Sequence, residues 1–450
     1  MKTIFFDLET TDLNFVGQIL NYAFVAVDSS WKITDTLHGT IKVSPLQLPS
    51  PYAILANRVD LIKHQETAED TEPNAMLKIR HWLDDVIEKE KDPVKLIGFN
   101  SVRFDVPFLR TSMIRNGINP YHPQLRYGDV LHVAQKLAAV NPSFDAMLGV
   151  NKSLKLERLC QLENIMQGKQ THESLDDVLI TIELAKHFSN NYGIDVRSWS
   201  EYEAKKFEDG KKVVIKVFPE KDAKYHQDEY ANNKTSARLV CLDVDKAYSL
   251  WIDIDAWKEG KGADSISWYS KAYSTFFVDK EIKDEATLSL AAEAREDLSM
   301  FNLKNFFPER NCDIEQFIYM MKFNENGALS DAIWSGNTDG LKQLNSKYGS
   351  KLYLRYLMNQ KPLSETFDMV KKYALYRYGG KMKVNKMDIT QNDPKSFHIT
   401  YGELLNTLDK LLSEKQGEDK KLLTSLLEFY KQSPITIVAG DELIGVVNAS

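Results

Sequence analysis

Four absences bound what this 450-residue chain can be. It has no apolar run near the roughly 20 residues that span a bilayer, so no membrane partner is expected. Cysteine is scarce: Cys160, Cys241 and Cys312 stand far apart with no CxxC pair. That excludes a disulfide framework or a thiolate zinc site and fits a reducing cytoplasm. There is no basic excess. A formal charge of −7 excludes a protein that coats nucleic acid over its whole surface, because phosphates are neutralised by lysine and arginine, and it leaves only a local basic patch. There is also no internal repeat or low-complexity linker. Asp7 arrives too early for the N-terminus to read as a secretory signal, so the expected location is cytoplasmic.

What is present is ordinary globular composition, 43% hydrophobic and 27% charged, at a length that implies two or three domains. Over residues 1–192 strands and helices alternate. Strands are expected at 3–6, 22–27, 40–43 and 95–99, and helices at 74–90, 106–116, 129–139, 154–162 and 176–188. A mixed sheet flanked by helices, an α/β domain, fits this pattern best. Residues 193–312 turn β-rich, with strands at 212–218, 237–243 and 265–278. Residues 313–450 read as helical, at 314–322, 339–347, 362–377, 401–414 and 419–431, and close in a small hairpin or loose tail from 434.

Three segments carry chemistry. Asp7-Leu8-Glu9 ends a buried strand, where residues two apart share a face, so both carboxylates point into one cleft. Asp105 closes Asn100-Ser101-Val102-Arg103-Phe104-Asp105 between a strand and a helix. His172 precedes Asp177 by five positions at the start of an amphipathic helix, and Asp176, four positions on, competes with it for the same role. Taken singly, each acid after the first pair has a capping explanation. Together, four carboxylates and a histidine at element ends describe a two-metal phosphodiesterase site. Hard oxygen ligands suit Mg²⁺, with Mn²⁺ able to substitute, and His172 would be the general base.

The order Asp-x-Glu, Asp, His-x4-Asp resembles the DEDDh exonuclease superfamily, whose domain is ribonuclease H-like. Val102-Arg103-Phe104-Asp105 with Asn100 five positions ahead, Ser153-Leu154-Lys155-Leu156-Glu157-Arg158-Leu159, and Asp177-Val178 running into Thr181-Ile182 are similar to bacterial exodeoxyribonuclease I. The resemblance selects Asp177 over Asp176. It further implies an SH3-like domain over the β-rich stretch, then a helical domain. It implies a monomer that digests single-stranded DNA 3′→5′ to 5′-mononucleotides, with the tail of single-stranded-DNA-binding protein as a partner. A ribonuclease or proofreading exonuclease of the same chemistry is the alternative, and a non-catalytic strand-binding protein is a more distant one.

Residues 351–386 hold nine Lys+Arg against two acids, with Tyr353, Tyr356, Tyr373, Tyr376 and Tyr378 interleaved. Cations and aromatic faces are the two ingredients of single-strand binding. The tyrosines read better as core of the helical bundle. Strand contacts are expected from Lys371, Lys372, Arg377 and Lys381, from Arg103 and the nearby Arg110 beside the second motif, and from Thr10, Thr11, Asn14 and Phe15 after the first.

Overall fold

The run Thr3-Ile4-Phe5-Phe6 is apolar on both faces, as a strand covered on both sides must be. β1 (Thr3–Thr10) indeed lies at the centre of a five-stranded mixed sheet. The computed structural model describes residues 2–90, 92–166, 173–218, 235–272, 274–306, 349–382 and 399–447. β1 pairs antiparallel with β2 (Ile19–Val27), which pairs with β3 (Ile33–Thr40). On its other side β1 runs parallel to β4 (Val94–Gly98), and β4 runs parallel to β5 (Leu125–Asp129). The third strand therefore sits at 33–40 rather than 40–43. It is a polar edge strand with mostly exposed side chains, so it lacks the apolar run that marks a buried one.

Eight helices of this part cover the sheet and its rim: α1 (Pro51–Asn57), α2 (Leu61–Thr67), α3 (Glu72–Glu88), α4 (Asp105–Arg115), α5 (Val130–Val140), α6 (Pro142–Met147), α7 (Leu156–Leu162) and α8 (Ser174–Tyr192). Ile4, Phe6 and Leu8 of β1 face α3 and α4. Phe5 faces the other way, into a core built with α5, α7 and α8. Arg115 of α4 and Glu72 of α3 form a buried ion pair, with Nε donating to Oε2 at 3.0 Å.

The β-rich stretch forms a second five-stranded sheet, wholly antiparallel, from β6 (Val213–Phe218), β7 (Thr235–Val244), β8 (Tyr248–Asp253), β9 (Ile266–Ser270) and β10 (Val278–Ile282), in the order β10-β6-β7-β8-β9. The helix Glu285–Asp297 covers one face through Ala291 and Ala294, against Val213, Ile215 and Ile252. Trp251, Phe276 and Tyr202 fill the other face.

The last described part is helical, with helices Gly349–Gln360, Leu363–Tyr378, Tyr401–Glu414, Gly417–Gln432 and Pro434–Val447. The helices expected at 314–322 and 339–347, and Cys312, lie outside the described residues. The expected hairpin or loose tail is a helix. Its β-branched Ile-Thr-Ile-Val run reads as a strand, but Ile435, Val438, Ala439 and Leu443 recur at helical spacing and bury one face, so packing overrides propensity. The core of these helices is not their own alone. Leu20, Val43, Leu46, Leu48, Ile54 and Leu61 from the first part join Leu404, Leu423, Leu426 and Tyr430 in one apolar cluster.

Leu443, 1% exposed, tests the terminal helix. Leu443→Ala is expected to cost about 2–5 kcal/mol by urea unfolding, the range for a buried leucine truncated to a cavity. An unchanged midpoint would mean that this segment does not pack.

Candidate active site

The alternation that buries Phe5 against α8 carries Asp7 and Glu9 to the same face, because successive residues of a strand point to opposite sides. Asp177 is buried on α8, whereas Asp176 is exposed. Carboxylate oxygens of Asp7, Glu9 and Asp177 lie within 4.8 Å of one another. Of the two aspartates, it is Asp177 whose carboxylate joins Asp7 and Glu9.

Asp105, the first residue of α4, stands beside this cluster. Its Oδ1 accepts the Leu8 N–H at 3.0 Å, so it grips the backbone between the two acids of β1. The turn that delivers it is tight. A Cβ on Gly98 would lie 2.7 Å from the Phe6 carbonyl oxygen and 2.5 Å from the Ser101 Cβ, so the close approach of β4 to β1 requires glycine. Asn100 then takes a left-handed conformation, φ 62°, which asparagine tolerates better than most side chains. Asp129, at the end of β5, holds the turn: its carboxylate accepts the N–H groups of Asn100 at 2.8 Å, Val102 at 3.1 Å and Leu131 at 2.9 Å. Behind it, Glu201 accepts the Asp129 N–H at 2.9 Å and pairs with His132 Nδ1 at 2.9 Å. Burial disfavours a charged His132, but Glu201 and Asp129 outweigh it and raise its pKa.

Carboxylates this close repel. Burial, then the charge of Asp177, pushes the Asp7 pKa from 3.8 up to about 8. Burial, then Asp7, Asp177, Asp105 and Glu173, pushes Glu9 from 4.5 up to about 10. Asp105 is raised by burial and by Asp7 and Asp129. Such a cluster fits a divalent cation. The donors are all carboxylate oxygens, the hard ligands that Mg²⁺ and Mn²⁺ take, and the cation would relieve the repulsion that now holds protons on them. Asp7, Glu9 and Asp177 would hold it. The Cys160 sulfur is not among these clustered ligand atoms, and burial, then the Asp177 charge, pushes its thiol up to about 12.

The remaining sequence-derived residues divide sharply. His172 lies outside the described residues. Arg103 is exposed on the turn before Asp105. Lys372 and Lys381 are exposed, as are Lys351 and Lys361, while Lys371 pairs with Glu442. Arg377 is not a surface contact: it is 1% exposed and bonded inside the molecule. Arg110 is buried too, its guanidinium between the rings of Tyr121 and Tyr127. Tyr373 and Tyr378 are buried in the helical core, as expected for bundle tyrosines.

Thr10, Thr11 and Phe15 are likewise internal. Thr10 Oγ1 donates to the Asp12 carbonyl at 2.8 Å, Thr11 Oγ1 accepts the Gln18 N–H at 2.8 Å, and Phe15 sits edge-on to Phe108. The side chain this loop exposes is Leu13, at 64%. Asp129, His132 and Glu201 escape sequence reasoning altogether. Asp129 reads as the start of a helix, and nothing in the spacing shows that its carboxylate reaches back across 29 residues to Asn100.

Residues 4–185 match the exonuclease family model. No curated protein sequence matches the chain. Among solved structures, Escherichia coli exonuclease I in complex with a dT13 oligonucleotide is similar at 15% identity and a TM-score of 0.69, over 95% of this chain and 98% of that one. The zinc-bound form of the same enzyme with single-stranded DNA is similar at 15% identity and 0.69, over 98% and 99%. Exonuclease I of Methylocaldum szegediense is similar at 16% identity and 0.67, over 96% and 99%. The first part of the chain thus matches an exonuclease family model, and the whole chain has the fold of exonuclease I.

Two outcomes follow from the geometry. Without cation, Asp7 keeps its proton to about pH 8 when folded but releases it near 3.8 when unfolded. Between these values the folded state binds more protons, so stability falls as pH rises through this window and levels off above it. Mg²⁺ displaces the protons of Asp7 and Glu9, so the stabilisation it adds grows as pH rises through about 8 and on toward about 10, reaching roughly 2.7 kcal/mol at a hundredfold excess over its Kd. Thermal unfolding with EDTA and with Mg²⁺ measures this, and an Mg²⁺ effect independent of pH counts against the assignment. Separately, Asp129→Ala frees the turn that aims Asp105 and is expected to lower kcat roughly 10–100-fold with little change in KM.

Proposed function

We propose that the chain removes nucleotides from the 3′ end of single-stranded DNA and releases 5′-mononucleotides. The observation that carries this reading is the convergence of Asp7, Glu9 and Asp177, with Asp105 beside them, at the end of β1 in a chain that follows exonuclease I over nearly its full length. Solved relatives of that fold are complexes with single-stranded oligonucleotides, which favours DNA over RNA as the polymer.

Asp7, Glu9 and Asp177 would hold one divalent cation and Asp7 with Asp105 a second; when bound, these would supply neutralisation of the scissile phosphate, a water that loses its proton near neutral pH, and stabilisation of the leaving 3′-oxygen. His172, two positions ahead of α8 in sequence, takes the proton from the attacking water, a task suited to a side chain whose ordinary pKa is near neutrality. Leu13, exposed on the loop that follows Glu9, offers an apolar surface for the terminal base. Arg103 and the exposed Lys351, Lys361, Lys372 and Lys381 supply cations for the phosphates further along.

Asp7→Asn is expected to reduce hydrolysis by at least about 10³-fold, some 4 kcal/mol in barrier, while the fold persists. The assay is release of mononucleotides from single-stranded DNA labelled in its 3′-terminal nucleotide and from RNA of the same sequence labelled in the same way. Equal or faster digestion of RNA would reassign the substrate, and full activity of Asp7→Asn would sink the mechanism.

A further inference from the structure

We propose that Arg377 is a positioning residue: from the C-terminal helices it clamps the loop that follows Glu9, and so makes the helical part of the chain a structural component of the active site. The kinetic side of this inference rests on the nuclease reading above; the structural side does not.

The loop over residues 11–18 is closed by its own bonds. Thr11 N–H donates to the Gln18 carbonyl at 2.8 Å, and Gly17 N–H to that of Asn14 at 2.8 Å. Asp12 Oδ1 accepts the N–H groups of Leu13 at 2.6 Å and Asn14 at 3.3 Å. Among the bonds that fix the closed loop in the molecule, three converge on the Val16 carbonyl oxygen: Arg115 Nη1 at 3.2 Å, Gln47 Nε2 at 3.1 Å and Arg377 Nη2 at 2.8 Å. They come from three places. Arg115 ends α4, the helix that Asp105 begins. Gln47 lies in the connection ahead of α1, and Arg377 lies on the helix Leu363–Tyr378. The Val16 side chain packs against Met382, beyond that helix.

Each guanidinium has a buried acid to balance it. Glu72 pairs with Arg115. Asp12 is buried, which raises its pKa, and the Arg377 charge acts in the opposite direction. Arg377 also bonds Gln47 Oε1 at 2.7 Å and Tyr373 OH at 2.8 Å, so its fork spans several acceptors in a geometry that a lysine cannot reproduce. The neighbouring Tyr378 OH accepts the Leu48 N–H at 2.8 Å, which locks the same connection to the same helix.

The clamp reaches the chemistry through a short path. Thr10 and Thr11 join the loop to Glu9, at a point where the β1–β2 register shifts. A displaced loop would move Glu9 and the exposed Leu13 together. A misplacement near 1 Å is enough to cost catalysis about 10²-fold.

The test compares wild type, Arg377→Met and Arg377→Lys by amide hydrogen exchange across residues 11–18. The same three proteins are assayed for kcat and KM on a trinucleotide and on an oligonucleotide of about 30 residues. Arg377→Met is expected to speed exchange at Gly17 and Gln18 about tenfold and to lower kcat about tenfold or more on both substrates. KM should change by less than about threefold, and Arg377→Lys should fall between. Unchanged loop exchange overturns the proposal. So does a defect confined to KM on the long substrate, which is the signature of a strand contact. Should Arg377→Met not fold, Gln47→Ala removes another donor from the same carbonyl and must show the same faster exchange, or the clamp is wrong. Wild type that releases no mononucleotide refutes the nuclease reading, and the exchange data then decide the clamp by themselves.

Discussion

Four carboxylates that repel one another have to be held within reach of one cation site, and much of the scaffold serves that constraint. Nothing in the cluster is self-stabilising: burial and mutual charge drive Asp7 and Glu9 toward their neutral forms. The holding is done by backbone. β1 is paired along its length with β2, so Asp7 and Glu9 cannot turn away without breaking that ladder. Asp105 is tied to the Leu8 amide, and the turn that carries it is tied to Asp129 through two N–H groups, those of Asn100 and Val102. A divalent cation turns this repulsion into attraction, which is why such a site is preorganised for metal rather than for protons.

The other two parts of the chain are joined to that site by buried polar side chains rather than by simple apposition. Glu201, at the entry to the β-rich sheet, braces Asp129. Arg377, from the helices, braces the loop after Glu9. The apolar core of the helices also includes Leu46, Leu48 and Ile54 of the first part, so the two parts share one core. Buried charges of this sort are costly unless every donor and acceptor is placed, and here they lie where one part of the chain meets another.

Much of the site was legible in the residues. Asp7 and Glu9 follow from a period-two strand, and the helix carrying Asp177 from its amphipathic spacing. The long helices from 363 and 401 follow from theirs. What misled was equally local. β3 is polar because it lies at an edge, and the last helix is rich in β-branched residues that favour a strand until packing is counted. The charge excess over 351–386 promised a binding surface, yet Arg377 and Arg355 within it are buried. A count of charges does not record which side of a helix each one occupies once a neighbouring domain covers it.

The amino-acid sequence by itself determined which groups can do chemistry: hard oxygen ligands at strand and helix ends, no thiolate set, and a fold pattern of alternating strands and helices. Those follow from side-chain identity and from periodicities of two and 3.6 residues, which are properties of the chain alone. Only the tertiary structure decided which residues hold the ligands in place. Asp129 acts across 29 residues, Glu201 across 72 and Arg377 across 361. Bonds of that span depend on how whole elements dock, and docking is set by the summed burial of many side chains rather than by any spacing that a linear reading can detect.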